Sequence, residues 1–295
     1  MTDRAAVPLR DAATVLILRD GAQGLEVFML RRNLKSDFVG GAHVFPGGAV
    51  DSADREGDLE AVCRGRSDAD ASRRLGMDRG GLAYWVAAIR ESFEEAGVLL
   101  AYDEQGGVVD LDDVRHAERW AAHRAGVDGG TLRLADLCRE EGLQLAVDAM
   151  HYFGHWITPE GAPRRYDTRF FLAAAPPSQT PLHDDREVIA NEWVRPADAI
   201  ARVRSGDLTM MPPTLASLRA VARFDTAAEA LHAATEITDV PTVLPRVVAV
   251  DGGVRIVLPG DAGYDGEQGV PDASIDWMGI ADARKVTGLD RVAGA

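Results

Sequence analysis

"AAIRESFEEAGVLLA", residues 87–101, decides how this 295-residue chain is read. Leu82, Val86, Ile89 and Phe93 recur at steps of four, three and four, which predicts the core-facing stripe of a helix. Gly97 supplies the left-handed stop just beyond it. The same helix carries Glu91, Glu94 and Glu95 at offsets i, i+3 and i+4, three like charges crowded together. That spacing costs an isolated helix about 0.2–0.5 kcal/mol per pair. A solvated acidic face tolerates such a cost, so the triplet takes its meaning from its surroundings.

The bulk composition narrows those surroundings. Lys and Arg number 32 against 47 Asp and Glu, a net charge of −15, with 46% hydrophobic and 27% charged residues. Such a chain builds a core, and it lacks the clustered basic residues of a broad nucleic-acid interface. No run approaches the ~20 apolar residues of a membrane span, and the N-terminal stretch lacks a signal-peptide pattern. Cys63 and Cys138, 75 positions apart with no CxxC, argue against a zinc site or a disulfide framework. A reducing cytoplasm is the expectation, and such an anionic chain can still bind a small phosphorylated ligand where a divalent cation or a few local arginines offset the repulsion.

Outward from the acidic helix, "ATVLILRDG" and "LEVFMLRRN" read as two strands joined through "DGAQG". "AHVFPGGAVD" is a strand running into a glycine loop, and residues 51–81 are polar, with one short helix. Residues 111–141 return to a helical pattern. Strands resume at "LQLAVDAMHYFGHWIT", "YDTRFFLAA" and "VIANEWVRP", helices at "ADAIARVRSG" and "PPTLASLRAVARF", and "RVVAVDGGVRIVLPG" reads as a hairpin.

With "FPGG" at 45–48 upstream, the chain resembles the Nudix hydrolases, whose box runs Gly, five residues, Glu, seven residues, then R-E-U-x-E-E-x-G-U, U being apolar. Arg90, Glu91, Glu94, Glu95, Gly97 and Val98 match the second half; Ser92 replaces the first apolar position. Gly48 is the opening glycine and Asp54 stands in the first acidic position, but 35 residues separate Asp54 from Arg90. An interrupted box of this kind resembles the branch that includes the peroxisomal coenzyme A diphosphatase. "GAHVFPGG" at 41–48 and "WITPEGAPRRYDTRFFLAA" at 156–174 extend the likeness. Asp37 departs from it, standing where shorter coenzyme A diphosphatases carry an arginine.

The resemblance implies a Nudix α/β/α sandwich with a mixed sheet over residues 11–222, interrupted by insertions at about 55–81 and 102–142. Residues 223–295 form a C-terminal extension with a hairpin, a candidate lid or dimer element that leaves a homodimer open. It implies metal-dependent hydrolysis of a nucleoside diphosphate linked to another moiety, with coenzyme A or acyl-coenzyme A the leading substrate. ADP-ribose or NADH cleavage is the enzymatic alternative, and a non-catalytic nucleotide sensor the other. Three carboxylates on one helix suit Mg²⁺ or Mn²⁺, which offsets their repulsion. By resemblance Glu94 and Glu95 are the leading metal ligands, with Glu91 and the Gly47 carbonyl beside them, and Arg90 orients a helix carboxylate. Glu187 is a candidate general base, with Glu192 its competitor and a solvated acidic loop the alternative. Arg31, Arg32 and Lys35, and Arg164, Arg165 and Arg169, are candidate phosphate contacts, of which Arg32 and Arg169 lead. Gly48 and His43, in the glycine loop, complete the expected substrate-binding set.

Overall fold

In the computed structural model, which describes residues 7–33, 40–183, 187–250 and 253–265, strand β1 (Leu9–Gly21) is the axis of the sheet. It turns at Thr-free "DGAQG" into β2 (Gly24–Arg32), and β3 (His43–Val44) and β4 (Gly47–Ala49) bracket the Phe-Pro turn. Helices α1 (Asp68–Leu75) and α2 (Leu82–Ala96) follow, then β5 (Ala101–Tyr102), α3 (Ala117–Asp128), α4 (Leu134–Glu141) and β6 (Gln144–Leu145). The long strands β7 (His151–Ile157), β8 (Arg165–Ala174) and β9 (Val188–Val194) precede α5 (Pro196–Ser205), α6 (Pro212–Val221) and α7 (Ala227–Thr235). The described chain closes with β10 (Thr242–Val243), β11 (Arg246–Val250) and β12 (Gly253–Val257).

The main sheet runs β10–β7–β8–β1–β2–β3, with β4 paired to the first half of β1 and β9 to β2. β8 lies parallel to β1 and β10 parallel to β7, while the other pairings are antiparallel. Alternation along the strands divides the interior in two. Ala13, Val15 and Ile17 of β1 and Phe28 and Leu30 of β2 face the core around α2, whereas Leu16, Leu18, Val27 and Met29 face α5, α6 and α7. Helices therefore cover both faces of a mixed sheet, an α/β/α sandwich. β11 and β12 form the hairpin expected near the C-terminus, although its turn at 251–252 lies outside the described residues. Residues beyond 222 do not begin as an appendage: Ala227, Ala230 and Ala234 of α7 and Val243 of β10 sit in the second core.

Helix α2 is buried all round rather than along one stripe; only Glu91 and Glu94 are partly exposed. Ile89 and Phe93, both fully buried, each contribute about 1.5–3 kcal/mol of hydrophobic stabilisation. A solvated acidic face does not exist here, because the two insertions wrap the helix. The first insertion supplies the cap that Gly81 cannot. Asp68 of α1 accepts from Leu82 N at 3.0 Å and Gly80 N at 2.9 Å, and Ser72 Oγ accepts from Gly81 N at 2.9 Å. These bonds satisfy amide donors that a helix start leaves orphaned. Gly81 is required because a Cβ there would lie 2.4 Å from Ser72 N. At the other end Ser92, the departure from the apolar box position, donates its hydroxyl to the Val98 carbonyl at 2.9 Å.

Candidate active site

The C-terminal half of α2 carries two i,i+4 pairs on adjacent faces, Arg90 with Glu94 and Glu91 with Glu95. Arg90 donates to Asp54 Oδ1 at 2.9 Å and Oδ2 at 3.0 Å, to Glu94 Oε2 at 2.8 Å and to the Ala49 carbonyl at 2.8 Å. Asp54 is only 2% exposed, so the first insertion interrupts the box in sequence without separating its acidic position from its arginine. Burial pushes the Asp54 carboxyl up against the opposing pull of Arg90. Burial also works against the Arg90 charge, but the Asp54 hydrogen bond and the Glu91, Asp54 and Glu94 charges outweigh it and hold the guanidinium protonated.

Glu95 turns instead to the glycine loop, and Glu91 stands between the two, 3.0 Å from Arg90 Nη1 and beside Gly48. Gly47 N donates to Glu95 Oε2 at 3.0 Å. The loop is seated on β1, where Val15 N donates to the Pro46 carbonyl at 3.0 Å and Thr14 and Ala13 pair with Gly47 and Gly48. Both glycines are there for close approach: a Cβ on Gly47 would lie 2.6 Å from the Ala13 carbonyl oxygen, and one on Gly48 would collide with the Glu91 carboxylate. Burial raises the Glu95 carboxyl far above its ordinary value, and the Glu91 charge adds to this. The Gly47 amide and Arg32 pull it down, and Glu187 pushes it up again. Burial likewise lifts Glu91 and Glu94 to about 7 each.

The sequence-derived candidates therefore separate. Glu91, Glu95, Gly47 and Gly48 are assembled, and Arg32 and Glu187 stand within electrostatic reach of Glu95. Glu187 is exposed at the start of β9, its carbonyl accepting from Asn33 N at 2.9 Å. Leu182 N donates to the Ala96 carbonyl at the end of α2, at 2.9 Å. Glu94 Oε2 stands 2.8 Å from Arg90 Nη1. His43 and Glu192 lie on the opposite face of the sheet, with α5. Glu192 accepts from Arg202 at 2.7 Å and stands 3.5 Å from His43 Nε2, whose pKa burial lowers. Arg169 also lies elsewhere: it is buried against Asp167 and His155, beneath the Tyr84 ring two turns before Glu91 on α2, about 10 Å along the helix. Arg165 donates to the Thr158 carbonyl, and Lys35 and Asp37 lie outside the described residues.

A divalent cation fits this arrangement. Two carboxylates, one buried and one partly exposed, repel each other beside a loop with no room for a side chain, and the donors are hard oxygens. Among the described residues no three acidic, histidine or cysteine side chains close a complete cage. Mg²⁺ commonly tolerates such a partial set, keeping waters and sharing substrate phosphates.

The family model described as the NUDT19 Nudix domain matches residues 71–221, just over half of the chain. The protein belongs to the NUDT19 Nudix domain family. Acyl-coenzyme A diphosphatase NUDT19 of Homo sapiens is 28% identical to this Nudix protein over 280 residues, covering 82% of this chain and 73% of its own. The Gallus gallus protein of the same name is 29% identical over 305 residues, covering 86% and 79% respectively. A crystal structure of a Nudix hydrolase from Alicyclobacillus acidocaldarius, 29% identical, covers 77% of this chain and 97% of its own with a TM-score of 0.64. This chain is thus a Nudix pyrophosphohydrolase.

Proposed function

We propose that this Nudix enzyme hydrolyses the diphosphate of coenzyme A and its acyl thioesters, releasing 3',5'-ADP and a 4'-phosphopantetheine species. The name borne by its relatives supports the substrate class. The observation that carries the chemistry is buried Glu95, with partly exposed Glu91 beside it, set against Gly47 and Gly48.

In this reading Glu91, Glu95 and the Gly47 carbonyl hold Mg²⁺ or Mn²⁺. When bound, the cation polarises the phosphoryl oxygens and neutralises charge as the anhydride bond breaks. Glu187, at the rim, accepts a proton from the attacking water. Arg32 meets the non-bridging oxygens of the diphosphate, for which a guanidinium fork is suited. Glu94 acts one step back, fixing Arg90, which in turn ties α2 to Asp54 and to the Ala49 carbonyl. The free, buried thiols of Cys63 and Cys138 suit the reducing cytoplasm expected from the sequence.

The test is a cleavage panel with Mg²⁺ and with Mn²⁺: coenzyme A, acetyl-coenzyme A, ADP-ribose, NADH and a diadenosine polyphosphate, with Glu95→Gln as the blank. Mutant-sensitive cleavage of the coenzyme A compounds is expected. Turnover of ADP-ribose or NADH alone would discard the coenzyme A assignment, and nucleotide binding without cleavage would make the protein a sensor.

A further inference from the structure

One polar contact joins the second insertion to the last turn of the catalytic helix. Arg124 of α3 donates to the Glu94 backbone carbonyl through Nε at 3.0 Å and through Nη2 at 2.8 Å. That carbonyl lies in the last turn of α2. The helix ends there because Gly97 N returns to the Phe93 carbonyl and Val98 N to the Ser92 carbonyl. Val98 N, the partner that a continuing helix would give Glu94, is thus committed elsewhere. Carbonyls of a last turn need outside donors, and a cation there also meets the negative end of the helix dipole.

Two features show that the contact is built in. Trp120 and Val127 are buried, and Arg124 stands four residues after the first and three before the second, so the core anchors of α3 aim it at α2. Gly97, in a left-handed conformation with φ of 66°, leaves the space: a Cβ there would lie 3.0 Å from Arg124 Nη1. The neighbouring Ala96 carbonyl is taken by Leu182 N at 2.9 Å, on the segment that continues to Glu187. The end of α2 is therefore held from two sides, by Arg124 and by Leu182.

We infer that Arg124 is a positioning residue, which sets the last turn of α2 so that Glu95 meets Gly47 in the geometry a divalent cation requires. The inference rests on the metal reading of Glu91, Glu95 and Gly47. It gives the second insertion a role in catalysis without contact with substrate. A bidentate fork on one oxygen is something a lysine does not reproduce.

The experiment is Mn²⁺ titration of the intact protein without substrate, read by electron paramagnetic resonance, together with kcat and KM in Mg²⁺. The proteins compared are wild type, Arg124→Gln, Arg124→Lys, Glu95→Gln and, as a control, Arg139→Gln. Arg139 is a second-insertion arginine that bonds Asp136 and the Asp58 carbonyl, away from α2. The expected result is a loss of Mn²⁺ affinity of about tenfold or more in Arg124→Gln, the scale of an outer-shell partner. Arg124→Lys should fall between it and wild type, kcat should drop with KM nearly kept, and Arg139→Gln should bind as wild type. If Arg124→Gln does not fold, the same comparison is made with Arg124→Lys against Arg139→Gln. Wild-type Mn²⁺ affinity in the Arg124 variants, or an equal loss in Arg139→Gln, would overturn the positioning role alone. Equal Mn²⁺ binding by wild type and Glu95→Gln would overturn the metal reading and this inference with it.

Discussion

Two glutamates on opposite faces of one sheet, Glu95 and Glu192, show what separates a working carboxylate from a structural one. Glu192 has Arg202 at 2.7 Å and His43 at 3.5 Å, and its environment leaves no charge unanswered. Glu95 is buried beside Glu91 and feels Glu187 as well, opposed by a backbone amide and Arg32, while Glu91 has Arg90 at 3.0 Å. The first set is complete as it stands. The second is stabilised only by a proton or a cation, and that deficit is the functional signal.

The largest expected effect follows from removing that deficit. Glu95→Gln should lower kcat on the order of 10³-fold, since a bound cation contributes several kcal/mol to such transition states. Glu192→Gln should leave kcat within about twofold of wild type. Equal losses in the two would erase the distinction between the faces.

Asp54→Ala sharpens the contrast on the Arg90 side of α2. It strips a buried guanidinium of its bidentate partner and should destabilise the fold by about 3–5 kcal/mol, measured by urea unfolding. The two loop glycines should behave differently from each other. Gly47→Ala drives a Cβ into β1 backbone and should cost about 1–3 kcal/mol. Gly48→Ala meets only the mobile end of Glu91, so its melting temperature should hold while Mn²⁺ affinity falls.

A smaller effect is the pH dependence of the metal-free protein. Glu91 and Glu94 have folded-state values near 7 against an ordinary 4.5, so the folded protein binds protons more tightly than the unfolded chain. Their contribution is fully present below about pH 4.5 and is lost as pH rises through 7. Metal-free protein should melt higher at pH 5.5 than at pH 8, and Mg²⁺ should narrow the gap by stabilising the carboxylates at the higher pH. A melting temperature that rises with pH over this window would contradict the burial of these groups.

Much of this was legible in the residues. Periodicity located α2, the main strands and the hairpin, and the box resemblance named Glu91, Glu94, Glu95 and Gly47, of which the structure sets the Gly47 amide against Glu95. Linear spacing could not say that Asp54 returns to Arg90 across 35 residues, because an insertion that closes on itself leaves its two ends together. Nor could it rank Glu94 against Glu91, since both follow helical offsets and only the loop opposite them distinguishes the faces. His43 and Glu192 lie on the far side of the sheet from α2 because alternation along β3 and β9 sends them there, which linear spacing did not show. Arg124 was missed, although Trp120, Arg124 and Val127 share one helical face and could have marked it. Asp68 was hidden for another reason: it caps a helix fourteen residues ahead of it in the chain.

The most direct test of the account is anomalous scattering from crystals of the protein soaked in Mn²⁺. The account requires a peak between the Glu91 and Glu95 carboxylates and the Gly47 carbonyl. A peak at Glu94 instead, or none with Mn²⁺ bound in solution, would contradict it.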